Sequence, residues 1–194
     1  MNRSFRPIRS ENPSGETVTT STEVPVPRRP DFPGAERIVT VPEALEDPDR
    51  IGETVVVIDA DGNWPTVVTA EHLANLGKQV TVVTNQGSYG WRITVYSMLA
   101  VGPRFREKGI KVMPLRSVRA VEGRTLILED RSTGETERLE GIDGIVAALG
   151  GVAEDGLYHA LRERVPELRM VGDCVAPRTA LEAIYEGHEA GRAI

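Results

Sequence analysis

The sequence contains a single cysteine, Cys174, among its 194 residues. This excludes an intrachain disulfide and any zinc or iron–sulfur site built from several cysteines. The three histidines, at positions 72, 159 and 188, are too scattered to predict a metal site. Acidic residues also outnumber basic ones. The chain has 23 Lys and Arg and 29 Asp and Glu, which gives a formal net charge of −6. Since phosphate groups bind to basic surfaces, this balance argues against a nucleic acid or an anionic membrane as partner.

Long apolar runs are missing as well. No stretch approaches the ~20 apolar residues that span a bilayer, and the basic N-terminus is not followed by the apolar segment of a secretory signal. We therefore expect a cytoplasmic protein. Hydrophobic residues nevertheless make up 40% of the chain, which is enough to form a folded core.

The composition of the chain changes near residue 36. Residues 1–35 hold six of the 13 prolines, and proline both fixes φ and lacks a backbone donor. This segment therefore predicts an extended arm and connector rather than a helix or a central strand. Phe32 and Gly34 suggest that the end of the connector docks onto the domain that follows.

Residues 36–141 predict a nucleotide-binding domain of the Rossmann type. A β-branched run at Thr54–Ile58, apolar residues at helical spacing over 66–76 and a second apolar run at 79–84 form a β-α-β pattern. A helix over 95–108 follows, and Pro103 is expected to start or break it. Alternating strands between 110 and 141 then predict an antiparallel β-meander.

Residues 142–194 predict a separate C-terminal segment. It consists of a buried strand at 142–150, a helix at 153–164, a short strand at 168–173 and a closing helix at 177–194. Leu181 and Ile184 are expected to face inward on the closing helix. The fold class predicted for the whole chain is α/β, with a parallel sheet, flanking helices and an appended meander.

The turn after the first strand of the β-α-β unit is the first candidate site. A dinucleotide fold places glycines there so that the backbone can approach a pyrophosphate, but this chain offers Ala60, Asp61 and Gly62 after Asp59. The two carboxylates are expected to disfavour a nicotinamide dinucleotide. The second strand ends in Thr84 and Asn85, which can bind a ribose hydroxyl. Both an adenine-nucleotide site and an empty, vestigial site remain open.

The segment VGDCVAPRT is the second candidate site. Gly172 and Asp173 end the predicted last strand, and Arg178 and Thr179 precede the closing helix. A carboxylate beside a helix N-terminus can bind the hydroxyls and the electron-rich ring edge of a flavin. The alternative is structural: Asp173 caps the helix and Arg178 pairs with Glu182.

Three segments together resemble a known family: VVVIDADGNWPTVVTAEHLANLGKQVTVVT, ALGG and MVGDCVAPRTALEAIYEGHEAGRAI. They are similar to the C-terminal region of flavoproteins related to trimethylamine dehydrogenase and 2,4-dienoyl-CoA reductase. The resemblance covers residues 25–194 and implies an FAD/NAD(P)-binding Rossmann-like fold. It implies FAD at Gly172, Asp173, Arg178 and Thr179. The acidic turn looks more like the member that holds ADP than like the NADPH-using members.

The resemblance also implies what the chain would need from elsewhere. The sequence shows neither the FMN barrel of this family nor the glycine-rich N-terminal half of its FAD domain. We therefore expect a small subunit of a flavin-dependent oxidoreductase, in a hetero-oligomer with a larger flavoprotein chain that shares the FAD. The alternatives are an NAD(P)H-binding electron-input subunit and a non-catalytic assembly subunit. No residue is predicted to be catalytic.

Overall fold

The computed structural model describes residues 8–11, 17–20 and 26–193. The remaining positions of the predicted arm lie outside the described residues. The chain divides into two compact units, residues 27–150 and residues 1–26 with 151–194. The domain boundaries predicted after residues 35 and 141 stay predictions. Within the described part of the chain, no helix is long and apolar enough to cross a membrane.

The elements are as follows. The helices are α1 (Val41–Glu46), α2 (Trp64–Asn75), α3 (Val95–Glu107), α4 (Gly156–Leu161) and α5 (Ala180–Arg192). The strands are β1 (Ile8–Glu11), β2 (Thr17–Thr20), β3 (Val26–Pro27), β4 (Val39–Thr40), β5 (Thr54–Asp59), β6 (Gln79–Thr84), β7 (Lys111–Met113), β8 (Arg116–Glu122), β9 (Thr125–Asp130), β10 (Thr136–Leu139), β11 (Gly144–Ala148) and β12 (Gly151–Val152).

A five-stranded parallel sheet is the centre of the unit 27–150. Its strand order is β4-β11-β5-β6-β7. A separate antiparallel sheet has the order β10-β9-β8. The predicted fold class is therefore confirmed, with the parallel sheet, the helices and the meander all present.

Strand β5 is buried on both faces because its side chains alternate between two cores. Val55 and Val57 belong to a cluster with Leu73 of α2 and Phe105 of α3. Val56 and Ile58 belong to a second cluster with Leu126 and Leu128 of the meander. This period of two is what a strand dictates, and it explains the uninterrupted apolar run in the sequence.

Helix α3 differs from its prediction. It runs without interruption from Val95 to Glu107, with Pro103 inside it. Proline removes one helical hydrogen bond at a cost of about 3 kcal/mol. Val101 and Phe105 are both buried on this helix, so packing on either side of the proline offsets that cost.

The connector that precedes the parallel sheet of the unit 27–150 packs against the meander. Phe32 lies against the second apolar cluster, and the N–H of Val121 donates to the carbonyl oxygen of Pro33 at 2.8 Å. Gly34 has a φ of +82°, and a Cβ on it would lie 2.2 Å from the carbonyl oxygen of Val121. Glycine is required here both by the backbone conformation and by the close approach.

The other unit is described separately. In it, β1 and β2 form an antiparallel pair with Ile8 opposite Thr20. The predicted strand at 168–173 is absent: residues 168–171 are in no strand, and a 3₁₀ turn begins at Gly172, whose φ of +72° lies outside the range of strand residues. The two predicted helices of this region are shorter than expected, since α4 covers only Gly156–Leu161 and α5 begins at Ala180.

Candidate functional site

The structure brings the first set of predicted residues together at one edge of the parallel sheet. Asp59, the last residue of β5, is paired in register with Thr84, the last residue of β6. Ala60, Asp61 and Gly62 therefore follow one strand and Asn85 follows its neighbour. Ligands of open α/β sheets bind at this carboxyl edge of the strands. Whether these residues bind a nucleotide stays a prediction.

Asp59 has a role that the sequence did not indicate. It is 1% exposed. Its carboxylate accepts hydrogen bonds from the N–H of Gly62 at 2.9 Å, the hydroxyl of Thr66 at 2.7 Å and the N–H of Gly90 at 3.1 Å. The carboxylate was expected to place negative charge at the diphosphate position and so disfavour a dinucleotide. Instead it is turned inward, where it ties the turn after β5 to the start of α2 and to the loop after β6.

The loop after β6 covers the turn after β5. We call its residues Gly90–Arg92 the strap. A Cβ on Gly62 would lie 2.1 Å from the indole nitrogen of Trp91, so Trp91 packs directly on the turn. The N–H of Arg92 donates to the carbonyl oxygen of Gly62 at 2.9 Å, and its guanidinium pairs with Asp61 at 3.1 Å. Asp61 is thus neutralised within the chain.

Four backbone donors of the turn, the N–H groups of Ala60, Asp61, Gly62 and Trp64, are bonded within the chain. The N–H groups of Ala60 and Asp61 both donate to the carbonyl oxygen of Ala148, at 3.1 Å each. The N–H of Trp64 donates to the side chain of Asn63 at 2.9 Å, and Pro65 has no N–H. A phosphate binds to a helix N-terminus through such free donors. These bonded donors are therefore not available to a pyrophosphate as they are in an open glycine turn.

A groove of about 250 Å³ lies beside the turn, between the sheet edge and the meander. Its lining combines apolar and polar side chains, which include Phe32, Ile58, Asn85, Ser117 and Val118. The side chain of Asn85 is half-buried and accepts a hydrogen bond from Gln86 at 3.2 Å. Thr84 is fully buried, and its hydroxyl oxygen accepts from the N–H of Gln86. Asn85 therefore offers polar atoms to the groove.

Arg116 and Arg119 of β8 also line the groove. The sequence places no arginine directly after β6, so only the tertiary structure brings these two to this edge. Arg116 pairs with Asp130 at 2.7 Å and also with Glu137. Arg119 donates to Glu129 at 3.0 Å, a hydrogen bond that lowers the pKa of Glu129 and raises that of Arg119. Both guanidinium groups are thus already matched by carboxylates.

The second set of predicted residues, in the unit that contains α5, forms a compact turn. Gly172 is buried, and its N–H donates to the carboxylate of Glu186 at 2.7 Å. Arg178 pairs with the same carboxylate and not, as the structural alternative proposed, with Glu182. Asp173 is exposed and accepts a long hydrogen bond, 3.3 Å, from the N–H of Arg178. Its carboxylate therefore remains open to solvent.

Thr179 caps α5. Its hydroxyl oxygen accepts from the N–H of Leu181 at 3.3 Å, and Glu182 accepts from the N–H of Thr179 at 3.0 Å, which is a capping box. The hydrogen bond from the Thr179 hydroxyl lowers the pKa of Glu182. The N–H of Gly172, followed by the Arg178 guanidinium, lowers the pKa of Glu186. The residues of this motif thus hold the start of α5 in place.

Helix α5 has no buried residue. Its apolar side chains Leu181, Ile184 and Tyr185 are 72%, 71% and 64% exposed, although Leu181 and Ile184 were expected to face inward. A contiguous exposed apolar face marks an interaction site. Among the described residues, no group of three His, Cys, Asp or Glu side chains could hold a metal ion.

Known proteins are similar to this chain in sequence and in structure. No protein-family model matches the chain. Cinnamate reductase from Clostridium sporogenes is 27% identical over 173 residues, which are 87% of this chain and 25% of that protein. Dimethylamine dehydrogenase from Hyphomicrobium is 24% identical over 84% of this chain and 26% of its own length. The chain spans about a quarter of the length of these relatives.

Among solved structures, too, the similarity covers most of this chain and about a quarter of the other chain. The amine oxidase acting on 6-hydroxypseudooxynicotine from Pseudomonas geniculata N1 has a TM-score of 0.77 and 25% identity, covering 87% of this chain and 26% of that one. The chain resembles the C-terminal region of the trimethylamine dehydrogenase and 2,4-dienoyl-CoA reductase family. The resemblance predicted from the sequence is thereby confirmed. These relatives of the family are oxidoreductases, as their names state.

Proposed function

We propose that this chain is part of a flavin-dependent oxidoreductase and that it acts as a small subunit beside a larger flavoprotein chain. The turn at Gly172–Thr179 and helix α5 would complete an FAD site whose other half the larger chain supplies. The two-electron chemistry would take place on the flavin, with the substrate bound by the partner.

One observation carries this proposal most directly, namely the exposed apolar face of α5. A helix of 13 residues without a packed face is marginal in water, because most helical stability in proteins comes from tertiary packing. The capping box fixes where α5 begins, yet Leu181, Ile184 and Tyr185 remain exposed. A partner that buries them would stabilise the helix and at the same time enclose the turn at its start.

The chemistry of the turn agrees with a flavin partner. The Asp173 carboxylate is exposed and close to the start of α5, and a carboxylate is the group that binds the hydroxyls of a ribityl chain. The sequence similarity to reductases and dehydrogenases extends over 84% and 87% of this chain. Both facts support oxidoreductase chemistry at a flavin.

The groove in the unit 27–150 would hold an adenine nucleotide, either ADP or the adenosine end of NAD(P)H. It lies at the sheet edge where such ligands bind in this fold class, and Phe32 and Val118 offer apolar surface to a base while Asn85 and Ser117 offer polar atoms. Donors of the turn after β5 are already bonded within the chain, which removes support for the diphosphate of ADP and of NAD(P)H alike. An NAD(P)H-binding electron-input subunit therefore has no support beyond the adenosine that both ligands share.

Flavin retention tests the proposal. The tagged chain is purified from its native cells together with its partner, and the flavin-to-chain ratio is measured by absorbance for the wild type and for Asp173→Ala. A hydrogen bond to a charged acceptor is worth about 1.5–3 kcal/mol, so we expect flavin affinity to fall by about ten- to a hundredfold. The melting temperature of the chain alone should not change. A complex without flavin, or a lower melting temperature with the flavin ratio unchanged, would contradict the proposal.

The apolar face of α5 gives an independent test of the subunit role. Ile184→Asp places a charge on that face and should abolish association with the partner. Leu76→Asp at the end of α2 is the control, because Leu76 is an exposed leucine, at 50%, in the unit 27–150 and Ile184 is 71% exposed. Association is followed by size-exclusion chromatography of the co-purified complex. Equal association of the two variants would show that α5 does not contact the partner.

A further inference from the structure

The turn after β5 already holds an anion, and that anion is the chain's own carboxylate. In an open glycine turn, a phosphate accepts hydrogen bonds from backbone N–H groups at the start of the helix. Here Asp59 accepts one such bond, from Gly62 of the turn at 2.9 Å; it also accepts from the N–H of Gly90 in the strap at 3.1 Å and from the Thr66 hydroxyl. The N–H groups of Ala60 and Asp61 are bonded to a carbonyl oxygen of β11.

The strap makes this arrangement a closed one. Gly90 is held by Asp59, Trp91 packs on Gly62, and Arg92 is bonded both to the carbonyl oxygen of Gly62 and to the carboxylate of Asp61. A diphosphate at this turn would have to displace the strap and would meet the buried charge of Asp59. Like charges in a buried site repel strongly because screening is weak there.

The neighbouring groove is lined by Asp59 and Ala60 as well, but the rest of its lining has a different character. It offers about 250 Å³ between Phe32, Ile58 and Val118, and the polar side chains of Asn85 and Ser117 line it. Its two arginines are matched by Asp130, Glu137 and Glu129. An uncharged ring that carries hydroxyl and amino groups fits this lining better than a group with several negative charges does.

From this geometry we infer that the sheet edge of the unit 27–150 binds a nucleoside, with adenosine as the class of ligand, and gains no affinity from a diphosphate. The inference rests on the proposed nucleotide site and narrows it. The base and ribose occupy the groove, and any phosphates attached to the ribose extend into solvent, away from the turn that Asp59 and the strap close.

Calorimetric titration of the full chain with adenosine, AMP, ADP and NADH at low salt tests the inference. We expect the dissociation constants of the four compounds to agree within about threefold. ADP or NADH binding about tenfold more tightly than adenosine would overturn it, since the phosphates would then be contributing. Absence of binding by all four would overturn it together with the nucleotide part of the proposed function, but not the flavin part, which is tested at Asp173.

A pair of variants locates the bound nucleoside. Asn85→Ala removes a polar side chain from the groove and should weaken adenosine binding about tenfold. Ser88→Ala is the control, because Ser88 is an exposed residue of the same loop and should bind adenosine as the wild type does. Equal affinities of the two variants would show that adenosine binds outside the groove.

Discussion

Replacing Asp59 by asparagine removes the charge at the centre of the closed turn and leaves the shape of the side chain nearly unchanged. The carboxylate accepts three hydrogen bonds, two on one oxygen and one on the other. An asparagine has one acceptor oxygen and one NH₂ group. When its oxygen faces Gly62 and Thr66, its NH₂ group points at the N–H of Gly90, and two donors then face each other.

The expected loss of stability follows from these contacts. A buried donor that loses its acceptor costs about 1–3 kcal/mol. The two remaining hydrogen bonds change from charge-assisted to neutral, and neutral bonds are roughly half as strong. We therefore expect Asp59→Asn to lower the free energy of unfolding by about 2–4 kcal/mol. For a chain of this size, this corresponds to a decrease of the melting temperature by about 10 °C.

Urea denaturation of the full chain measures the effect, with Asp61→Asn as the control. Asp61 is bonded to Arg92 in a partly exposed ion pair at 3.1 Å, and such pairs contribute about 0–1 kcal/mol. Hydrogen exchange at the amide of Gly90 reports on the strap directly and should become faster only in Asp59→Asn. If the two variants were equally stable, the view that Asp59 organises the turn would be refuted.

Three further changes test the backbone and the helix cap. Gly62→Ala should destabilise the chain by about 1–3 kcal/mol in thermal denaturation, because φ is +68° there and the new Cβ would overlap Trp91. Leu115→Asn should stabilise it by about 0.5–1 kcal/mol, because φ is +56° at this 39% exposed position and asparagine tolerates that conformation; a loss of stability would contradict this. Since the Gly172 N–H lowers the pKa of Glu186, the contact between Gly172 and α5 contributes its full stability above the ordinary value of about 4.3 and loses it as the pH falls through the lower folded value. The loss of stability in acid, followed by circular dichroism, should be smaller in Glu186→Gln than in the wild type.

Local patterns in the sequence were sufficient for β5 and α2 of the unit 27–150. The apolar run of β5 predicted a strand buried on both faces, and the structure places its alternating side chains in two cores. The helical spacing after Gly62 predicted α2, which begins at Trp64 and ends at Asn75. These predictions hold because burial on a regular element repeats with the period of that element.

The same local reasoning was wrong where packing decides the outcome. Pro103 was expected to start or break a helix, but α3 continues through it because Val101 and Phe105 are buried. Leu181 and Ile184 were expected to face a core, but both are exposed on α5. Helical spacing shows that a face is apolar, but it does not show what covers that face.

The sequence by itself determined β5, α2 and β6, the fold class and the family that the chain resembles, because each depends on short-range periodicity or on contiguous motifs. Only the tertiary structure decided how the candidate site is arranged. It turned Asp59 inward to donors from two different segments, laid Trp91 on Gly62, and brought Arg116 and Arg119 to the end of β6. The physical reason is that a carboxylate binds whichever donors the folded chain brings to it. The donor at Gly90 lies 31 residues from Asp59, a separation that no local pattern encodes.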